Sequence, residues 1–255
     1  METTPSTEES ISTFDPQLAF SRNLGWLTPD DQRKISNLKV GIVGLGGVGG
    51  QYAEILTRLG VSHFAIFDAD EFAIENTNRQ NECRVSNYGK NKAETITKLI
   101  KDINPKAVVH CHASWLESNQ VNSFCDSIDI YLDGLDFFVI DLRISLFRRM
   151  KELGKVAITA APIGTGAALL VFTKDSMSFD DYFGFHRSQD LVERSNIFLV
   201  GLAPSLQHVS YVRDRSRADF ANHKLPSLPI GVYSCASVVA TTLMKIVCNR
   251  PAARS

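Results

Sequence analysis

The sequence carries a glycine-rich run, GLGGVGG, that begins at Gly44. A compact apolar stretch, 38–43, precedes it, and apolar residues at helical spacing follow it, so the run lies between a predicted strand and a predicted helix. Glycines at such a turn let backbone N–H groups approach a phosphate at the positive end of the helix. We therefore predict a phosphate-binding loop, with a merely close-packed turn as the alternative; its glycines are Gly44, Gly46, Gly47 and Gly49.

An acidic residue follows the glycines at the spacing of a ribose-binding carboxylate. Asp68 comes directly after a second predicted strand, 63–67, about twenty residues beyond the glycines. A carboxylate at this place accepts hydrogen bonds from ribose hydroxyl groups. These two features fit an NAD-dependent dehydrogenase as well as an ATP-binding enzyme.

A polar run after Asp68 distinguishes between those two uses. Arg79 lies within it, and Lys92 lies at the start of a predicted helix, 91–103. Cationic side chains near a triphosphate can neutralise the charge that develops on the phosphates during nucleotidyl transfer. A dehydrogenase has no need of these residues, although an isolated Lys or Arg is most often a solvated surface cation.

These motifs together resemble the ThiF/MoeB/HesA-like adenylyltransferases of the ubiquitin-activating enzyme superfamily. The family signature runs GxGGxG, DxD, N-x-x-RQ, a Lys, and an Asp after a later strand, and the resemblance covers residues 21–171. It implies that Gly47 lies against the phosphates and that Asp68 holds the ribose. It further implies a set of residues around the nucleotide, in which Gln80 supports the loop: Asp70, Asn76, Asn78, Arg79, Gln80 and Lys92.

The resemblance assigns special roles to two more residues. Asp136, in YLDGLD, corresponds to the family's metal-binding Asp, a hard oxygen ligand that suits Mg²⁺, with Asp133 as the alternative. Arg22, in FSRN, resembles an upstream Arg that reaches into the neighbouring subunit's site, with a role at the rim as the alternative. We therefore expect a homodimer that binds ATP and Mg²⁺.

The reaction implied by the resemblance is attack of a carboxylate on the α-phosphate of ATP, which gives an acyl-adenylate and pyrophosphate. The expected substrate is a protein or peptide C-terminus, such as that of a ubiquitin-like or sulfur-carrier protein. Two alternatives stay open: a dehydratase that adenylates a carboxylate on tRNA, and a scaffold that binds nucleotide without catalysis. Phe137 departs from the family pattern, which usually has Asn after the metal-binding Asp.

The five cysteines limit the chemistry further, because they include no C-x-x-C pair; they are Cys83, Cys111, Cys125, Cys235 and Cys248. The sequence therefore predicts no zinc site. No Cys lies between Cys125 and Cys235, so the crossover segment offers no thiolate for a thioester or persulfide step. We expect adenylation without thioester transfer, in a reducing cytoplasm.

Charge and hydropathy limit the partners. The chain has 27 basic and 28 acidic residues and no long basic stripe, so nucleic acid is not the expected partner, although tRNA is not excluded. The most apolar stretch, 156–172, is interrupted by Pro162, Gly164 and Gly166. Two buried strands joined by a loop explain that stretch better than a membrane span does.

Alternating strand and helix patterns predict an α/β fold with a Rossmann-like, doubly wound, mostly parallel sheet and helices on both faces. Beyond the elements above, we predict strands at 107–111, 128–132 and 156–159 and helices that start after Thr28 and span 141–153 and 230–248. One domain is expected over 21–255, after a flexible tail, 1–20.

The C-terminal part is expected to be elaborated, with a variable crossover or substrate region at 175–230. An aromatic-rich irregular stretch opens that region. Its aromatic residues either form a partner-binding surface or pin a long loop onto the core; they are Phe179, Tyr182, Phe183 and Phe185.

Overall fold

The computed structural model describes residues 13–188, 190–219 and 225–249. Its strands are β1 (Lys39–Val43), β2 (His63–Phe67), β3 (Val108–His112), β4 (Ile130–Asp133), β5 (Val156–Ile163) and β6 (Gly166–Phe172). They form one sheet in the order β3-β2-β1-β4-β5-β6. Neighbouring strands are parallel except for β5 and β6, which form an antiparallel hairpin. The predicted doubly wound, mostly parallel fold is therefore confirmed.

The helices of the described residues are α1 (Pro16–Ala19), α2 (Pro29–Asn37), α3 (Gly47–Leu59), α4 (Lys92–Ile103), α5 (Val121–Ser127), α6 (Ile140–Glu152), α7 (Phe179–Phe183), α8 (Leu191–Leu202) and α9 (Pro229–Val247). They cover both faces of the sheet. Residues 1–12 of the expected tail lie outside the described residues, and α1 occupies part of the remainder.

Side chains of the central strands alternate between two buried clusters. Ile42 and Leu132 contribute to the cluster that holds α3, α4 and α9, whereas Val43 and Tyr131 contribute to the cluster that holds α5 and α6. Alternation follows from the pleat of a strand, and burial on both faces explains why these strands are almost continuously apolar. The sheet is thus a rigid support whose carboxyl edge carries the loops.

The helix predicted after Thr28 begins where its capping residues place it. The Thr28 hydroxyl accepts a hydrogen bond from the Asp31 N–H at 3.1 Å, and the Asp31 carboxylate accepts one from the Thr28 N–H at 3.1 Å. This reciprocal capping box satisfies two backbone donors that the helix itself cannot satisfy. Pro29 at the first helical position favours the same start.

The region after β6 is more regular than the sequence indicates. Phe179, Phe183 and Phe185 are buried in one aromatic cluster with Phe147 of α6 and Phe198 of α8. These three residues therefore pin the segment to the core, whereas Tyr182 is exposed and the alternative of a partner-binding surface stays open for it. Helix α8 was missed because its sequence, LVERSNIFLVGL, has apolar residues on most sides and lacks a clear polar face.

Helix α9 is long and apolar enough to cross a membrane by length and composition alone. In this fold, one side of it packs against α3 and the β5–β6 hairpin and contributes Cys235, Val239 and Leu243 to the core. Its first turn meets the hairpin turn so closely that a Cβ on Gly231 would overlap the carbonyl oxygen of Gly164.

Candidate nucleotide-binding site

The glycine loop lies where the winding direction of the sheet reverses. Gly44 follows β1 and Gly134 follows β4, and these two strands are neighbours that lead to helices on opposite faces. A crevice forms at such a reversal outside the carboxyl ends of the strands, and nucleotides bind there in open α/β sheets. The positive end of α3 points at this crevice.

The four predicted glycines serve two different purposes. Gly44 has φ +86°, and a Cβ on it would overlap the Gly134 carbonyl; a Cβ on Gly49 would overlap the Gly44 carbonyl. These two glycines are therefore required by close packing. Gly46 and Gly47 instead face side chains of the crevice, as the nearest atom to a Cβ on Gly46 would be the Gln80 amide nitrogen at 3.5 Å. Backbone N–H groups at these positions can approach a phosphate.

Asp68 is fastened to the glycine loop. Its buried carboxylate accepts hydrogen bonds from the Leu45 N–H at 2.6 Å and the Asp70 N–H at 2.8 Å. Burial raises the pKa of this carboxyl above its usual range, and the two backbone donors and the charge of Lys92 oppose that rise. These hydrogen bonds therefore hold the glycine loop and Asp68, the predicted ribose-binding residue, in a fixed position relative to each other.

Lys92 joins the same group of side chains from the start of α4. Its ammonium nitrogen donates to a carboxylate oxygen of Asp70 at 3.0 Å, and the Lys92 side chain is only 7% exposed whereas that of Asp70 is 50% exposed. Asn91 caps the helix by accepting from the Glu94 N–H. Its side-chain amide also donates to the Asp68 and Asp70 carbonyls, which fixes α4 beside the end of β2.

The loop after β2 places Arg79 and Gln80 beside the glycines. The Cγ atom of Arg79 would lie 3.9 Å from a Cβ on Gly47, and Arg79 Nη1 donates to the Glu75 carbonyl at 3.0 Å and to the Asn78 side-chain oxygen at 2.9 Å. The Gln80 side-chain oxygen is buried without a hydrogen-bond partner within the described part of the chain. The Gln80 side-chain nitrogen faces Gly46 instead, which fits the predicted role of Gln80 in supporting the loop.

The two asparagines of this loop that the sequence assigns to the nucleotide site bind backbone groups. The Asn76 side-chain oxygen accepts from the Ala73 N–H at 3.0 Å and closes the turn that precedes Arg79. The Asn78 side-chain nitrogen donates to the Ser227 carbonyl at 3.0 Å. Asn78 thus ties the loop to the segment that leads into α9.

Asp133 and Asp136 have very different surroundings. Asp133 is buried and accepts four hydrogen bonds; the donors are Arg143 at 2.7 Å, Thr159 at 2.8 Å, the Leu135 N–H at 3.2 Å and Tyr131 at 3.3 Å. Asp136 is exposed, and its Oδ1 accepts from the Phe138 N–H at 3.1 Å, while Oδ2 faces no donor among the described residues. The geometry therefore favours Asp136 over Asp133 as a metal ligand.

The fit of this site to Mg²⁺ can be judged from its donor set. Among the described residues, no group of three or more His, Cys, Asp or Glu side chains lies close enough to hold a metal ion. Mg²⁺ is commonly held by one or two carboxylates together with the phosphates of a nucleotide. An exposed carboxylate with one open oxygen, as in Asp136, fits that arrangement.

Arg143 is a further residue of this region that the motifs do not indicate. Its guanidinium is 2% exposed, pairs with Asp133, and donates to backbone carbonyls of the Asp136 loop. A sequence signal was present, because Arg143 shares the apolar face of α6 with Ile140, Ile144 and Phe147. A charged residue on a buried helix face requires a partner in the core.

Phe137 lies in an aromatic environment. Its ring centroid is 5.3 Å from that of Phe198 on α8 and 5.1 Å from that of Phe138. The polar contact that the usual Asn would offer is thus replaced by packing against the crossover region.

Arg22 is the one predicted catalytic residue that the fold does not bring to this crevice. It is exposed on the turn Ser21–Asn23, and the Asn23 side chain donates to the Leu59 carbonyl at the far end of α3. The glycine loop lies at the other end of α3, about 18 Å away along a helix of this length. Arg22 therefore cannot reach the nucleotide site of its own chain.

The crevice, the glycine loop and Asp68 together define a Rossmann-type nucleotide-binding protein. Residues 20–255 match the ThiF family, so this chain belongs to that family and to the ubiquitin-activating-like superfamily that contains ThiF and MoeB. Members of that superfamily are ATP-dependent adenylyltransferases.

Two relatives each match about half of this sequence. The chain is 29% identical over 135 residues to the tRNA threonylcarbamoyladenosine dehydratase of Haemophilus influenzae, a match that covers 52% of each chain. It is 34% identical over 128 residues to the adenylyltransferase and sulfurtransferase MOCS3 of Drosophila yakuba, which covers 49% of this chain and 28% of that protein. The matched region thus spans about half the length of the first relative and about a quarter of the second.

Two solved structures share the fold. The Escherichia coli dehydratase TcdA in complex with ATP aligns with a TM-score of 0.61 at 16% identity, covering 91% of this chain and 95% of that one. Escherichia coli MccB with AMPCPP and MccA aligns with a TM-score of 0.63 at 18% identity, covering 86% and 58%. At these identities the likeness shows the fold alone.

Proposed function

We propose that this chain uses ATP and Mg²⁺ to adenylate a carboxylate, namely the C-terminus of a ubiquitin-like or sulfur-carrier protein or of a peptide. The observation that carries this proposal is that Arg79 lies beside Gly47, that Lys92 lies close enough to Asp68 to act on its charge, and that the Asp136 segment begins at Gly134, which packs against Gly44. Two cations and a metal-binding carboxylate suit charge stabilisation on a triphosphate. Hydride transfer to a nicotinamide would need neither the two cations nor the metal-binding carboxylate.

The proposed reaction forms a bond between a carboxylate oxygen of the substrate and the α-phosphorus. The bond from that phosphorus to its bridging oxygen breaks, and pyrophosphate leaves with the electron pair. The N–H groups of Gly46 and Gly47 bind phosphate oxygens, and Arg79 and Lys92 stabilise the charge that develops on them. Bound Mg²⁺ would add Lewis-acid stabilisation of the phosphates, with Asp136 as its protein ligand.

The proposed reaction ends at the acyl-adenylate, without a thioester on this chain. Burial raises the pKa of the thiols of Cys125 and Cys235 to about 12, so both stay protonated at neutral pH. The thiolate is the nucleophilic form of cysteine. These two residues flank the crossover segment in the sequence, and neither is suited to attack an adenylate.

The position of Arg22 supports a site that is shared between two chains. Since this side chain cannot reach its own crevice, we propose a two-fold homodimer in which each Arg22 enters the partner's site. The turn that bears it also carries the exposed side chains of Leu24 and Trp26, and together they line a shallow surface cavity. Exposed apolar residues around a cation are typical of an interface.

A protein or peptide substrate is supported by two of the similar proteins. MOCS3 is by name an adenylyltransferase and sulfurtransferase, and the MccB structure contains MccA. The part of MOCS3 that this chain matches is only 28% of its length, so the proposal extends to the adenylation step and no further.

A tRNA-modifying dehydratase is the second candidate. The Haemophilus influenzae relative favours it, as does a local feature that the balanced overall charge conceals. Arg213, Arg215 and Arg217 are all exposed within a few residues of Tyr211, which is 79% exposed. Arginines next to an exposed aromatic ring are typical of RNA-binding surfaces.

Three measurements separate these functions. Carboxylate-dependent exchange of pyrophosphate into ATP, assayed with candidate C-terminal peptides, is expected for the first function. RNA binding in moderate salt with weak peptide dependence would favour the dehydratase. A protein that binds ATP but never exchanges pyrophosphate would be a scaffold.

Calorimetry should also show micromolar-scale affinity for ATP with Mg²⁺ and much weaker affinity for NAD(H), and the reverse order would reject adenylation.

A further inference from the structure

The loop that carries Asp136 is built around the buried guanidinium of Arg143. Nη2 donates to the Leu135 carbonyl at 2.8 Å and to the Asp136 carbonyl at 3.0 Å, and Nη1 donates to the Val139 carbonyl at 3.0 Å. Nε donates to Asp133 at 2.7 Å. One side chain thus holds the backbone on both sides of the open Asp136 carboxylate.

An aromatic residue of the crossover region packs over the guanidinium of Arg143. The guanidinium carbon of Arg143 lies 4.7 Å from the ring centroid of Phe198, and the Phe137 ring packs against the same phenyl group at 5.3 Å. A second connection joins the start of α8 to α6, because Arg194 pairs with Asp141 at 2.7 Å. A ring over a desolvated guanidinium adds a cation–π attraction and keeps competing water away.

We infer that Arg143 and Phe198 are positioning residues: they hold the Asp136 carboxylate in place and thereby increase the affinity of the site for Mg²⁺. This inference rests on the proposed ATP and Mg²⁺ site and adds residues to it that touch neither ligand. A metal ligand is held in geometry by the groups behind it, and loss of such a group commonly costs about 10- to 100-fold in metal affinity. Here that support consists of hydrogen bonds to the ligand's own backbone.

The arrangement has a consequence for the crossover region. Phe198 belongs to α8, within the segment proposed to receive the substrate, whereas Asp136 belongs to the nucleotide site. Any shift of α8 moves the Phe198 ring relative to the Arg143 guanidinium. Such a shift thereby changes the position of the loop that carries Asp136. The two parts of the protein are therefore coupled through this cation–π contact, the packing of Phe137 on Phe198 and the Arg194–Asp141 ion pair.

The test compares variants that keep the fold. Phe198→Leu removes the ring and keeps the ion pair, and Arg143→Lys keeps the charge but loses the fork of donors. A double variant, Asp133→Asn with Arg143→Met, removes both buried charges together, which avoids leaving either one unpaired. Phe172→Leu is the matched control, since Phe172 lies in the same aromatic cluster and its ring contacts are with residues other than Phe198.

Calorimetry measures ATP affinity with Mg²⁺ and with chelator, and exchange assays measure the half-saturating Mg²⁺ concentration. In Phe198→Leu and in the double variant, the factor by which Mg²⁺ increases ATP affinity should fall by about tenfold or more. ATP affinity measured with chelator should equal that of the wild type. Arg143→Lys should show the same loss. Phe172→Leu should keep the wild-type gain at comparable thermal stability to Phe198→Leu.

Wild-type Mg²⁺ dependence in folded Phe198→Leu and in the double variant would overturn the inference, as would an equal loss in Phe172→Leu. Failure of the proposed function has a different signature. A wild-type protein that binds ATP more tightly with Mg²⁺ but never exchanges pyrophosphate would reject carboxylate adenylation, and the calorimetric comparison would still decide on Arg143 and Phe198.

Discussion

The buried ammonium group of Lys92 donates to the half-exposed carboxylate of Asp70 across 3.0 Å. Lys92 is therefore held next to Asp68 before any nucleotide arrives, with its charge balanced by a residue that water can also solvate. A triphosphate can take over this cation by displacing Asp70, which keeps its solvation on the exposed side. Binding then costs little reorganisation, which is the advantage of a preorganised site.

Substitution of either cation should therefore slow the chemical step. Lys92→Ala or Arg79→Ala should lower carboxylate-dependent ATP–pyrophosphate exchange by about 10²–10³, the scale for the loss of one preorganised charge-stabilising group. Lys90→Ala is the matched control, because Lys90 is exposed two residues earlier and its ammonium group donates to Asn87. Exchange within a few-fold of wild type in both site variants would remove these residues from the mechanism.

The raised pKa of Asp68 predicts a pH dependence of nucleotide binding. Burial is the largest cause of that rise, so Asp68 protonates at a higher pH than an ordinary Asp does. Only the ionised carboxylate accepts from both ribose hydroxyls, so affinity is full above the raised pKa and falls as the pH drops through it.

The matching experiment compares ATP with an analogue that lacks both ribose hydroxyls, by calorimetry from neutral to acidic pH. The phosphates and the base titrate alike in both ligands, so the difference between their affinities isolates Asp68. We expect this difference to shrink as the pH falls and to be independent of pH in Asp68→Asn. A constant difference in the wild type would mean that Asp68 does not hold the ribose.

A protein without thiols should still form the acyl-adenylate. Alanine at the buried positions Cys125 and Cys235 avoids an unsatisfied hydroxyl. Serine suits Cys83, whose thiol donates to the Ala73 carbonyl, and the partly exposed Cys111 and Cys248. Adenylate formation should stay within a few-fold of wild type, since no step uses a thiolate. Circular dichroism checks the fold first, and a folded variant that makes no adenylate would reveal cysteine chemistry.

Mixing two inactive variants should restore activity if Arg22 acts across the interface. Arg22→Ala and Asp136→Ala should each be inactive alone, whereas a mixed dimer contains one site with both defects and one site with neither. Random exchange of equal amounts makes about half of the dimers mixed, so recovery should approach roughly a quarter of wild type. Demonstrated subunit exchange without recovered activity would show that Arg22 has no role in the neighbouring site.

The sequence predicts where the residues of the nucleotide side lie, because their placement depends on local signals, whereas their roles stay predictions. Gly46, Asp68, Arg79 and Lys92 follow strands or begin helices at fixed spacings, so the chain order alone places them at one edge of the sheet. The structure does bring them together.

Arg143 was missed because its role depends on long-range structure. Apart from Asp133, its hydrogen-bond partners are backbone carbonyls, which leave no trace in residue types, and its aromatic cover, Phe198, is 55 positions further along the chain. Helix α8, which carries Phe198, has apolar residues on most sides and so lacks the period that reveals a helix. Such contacts become visible only when the fold is known.

The segment between β6 and α9 leaves a core element and returns to another that packs directly against it. Since lengthening a flexible connection costs only about 0.6 kcal/mol per doubling, descendants of this chain could replace the whole segment and keep the nucleotide half intact. The part of the protein proposed to bind the substrate could then change independently of the nucleotide site. If Arg143 acts as we infer, each replacement would also have to bring an aromatic ring back over its guanidinium.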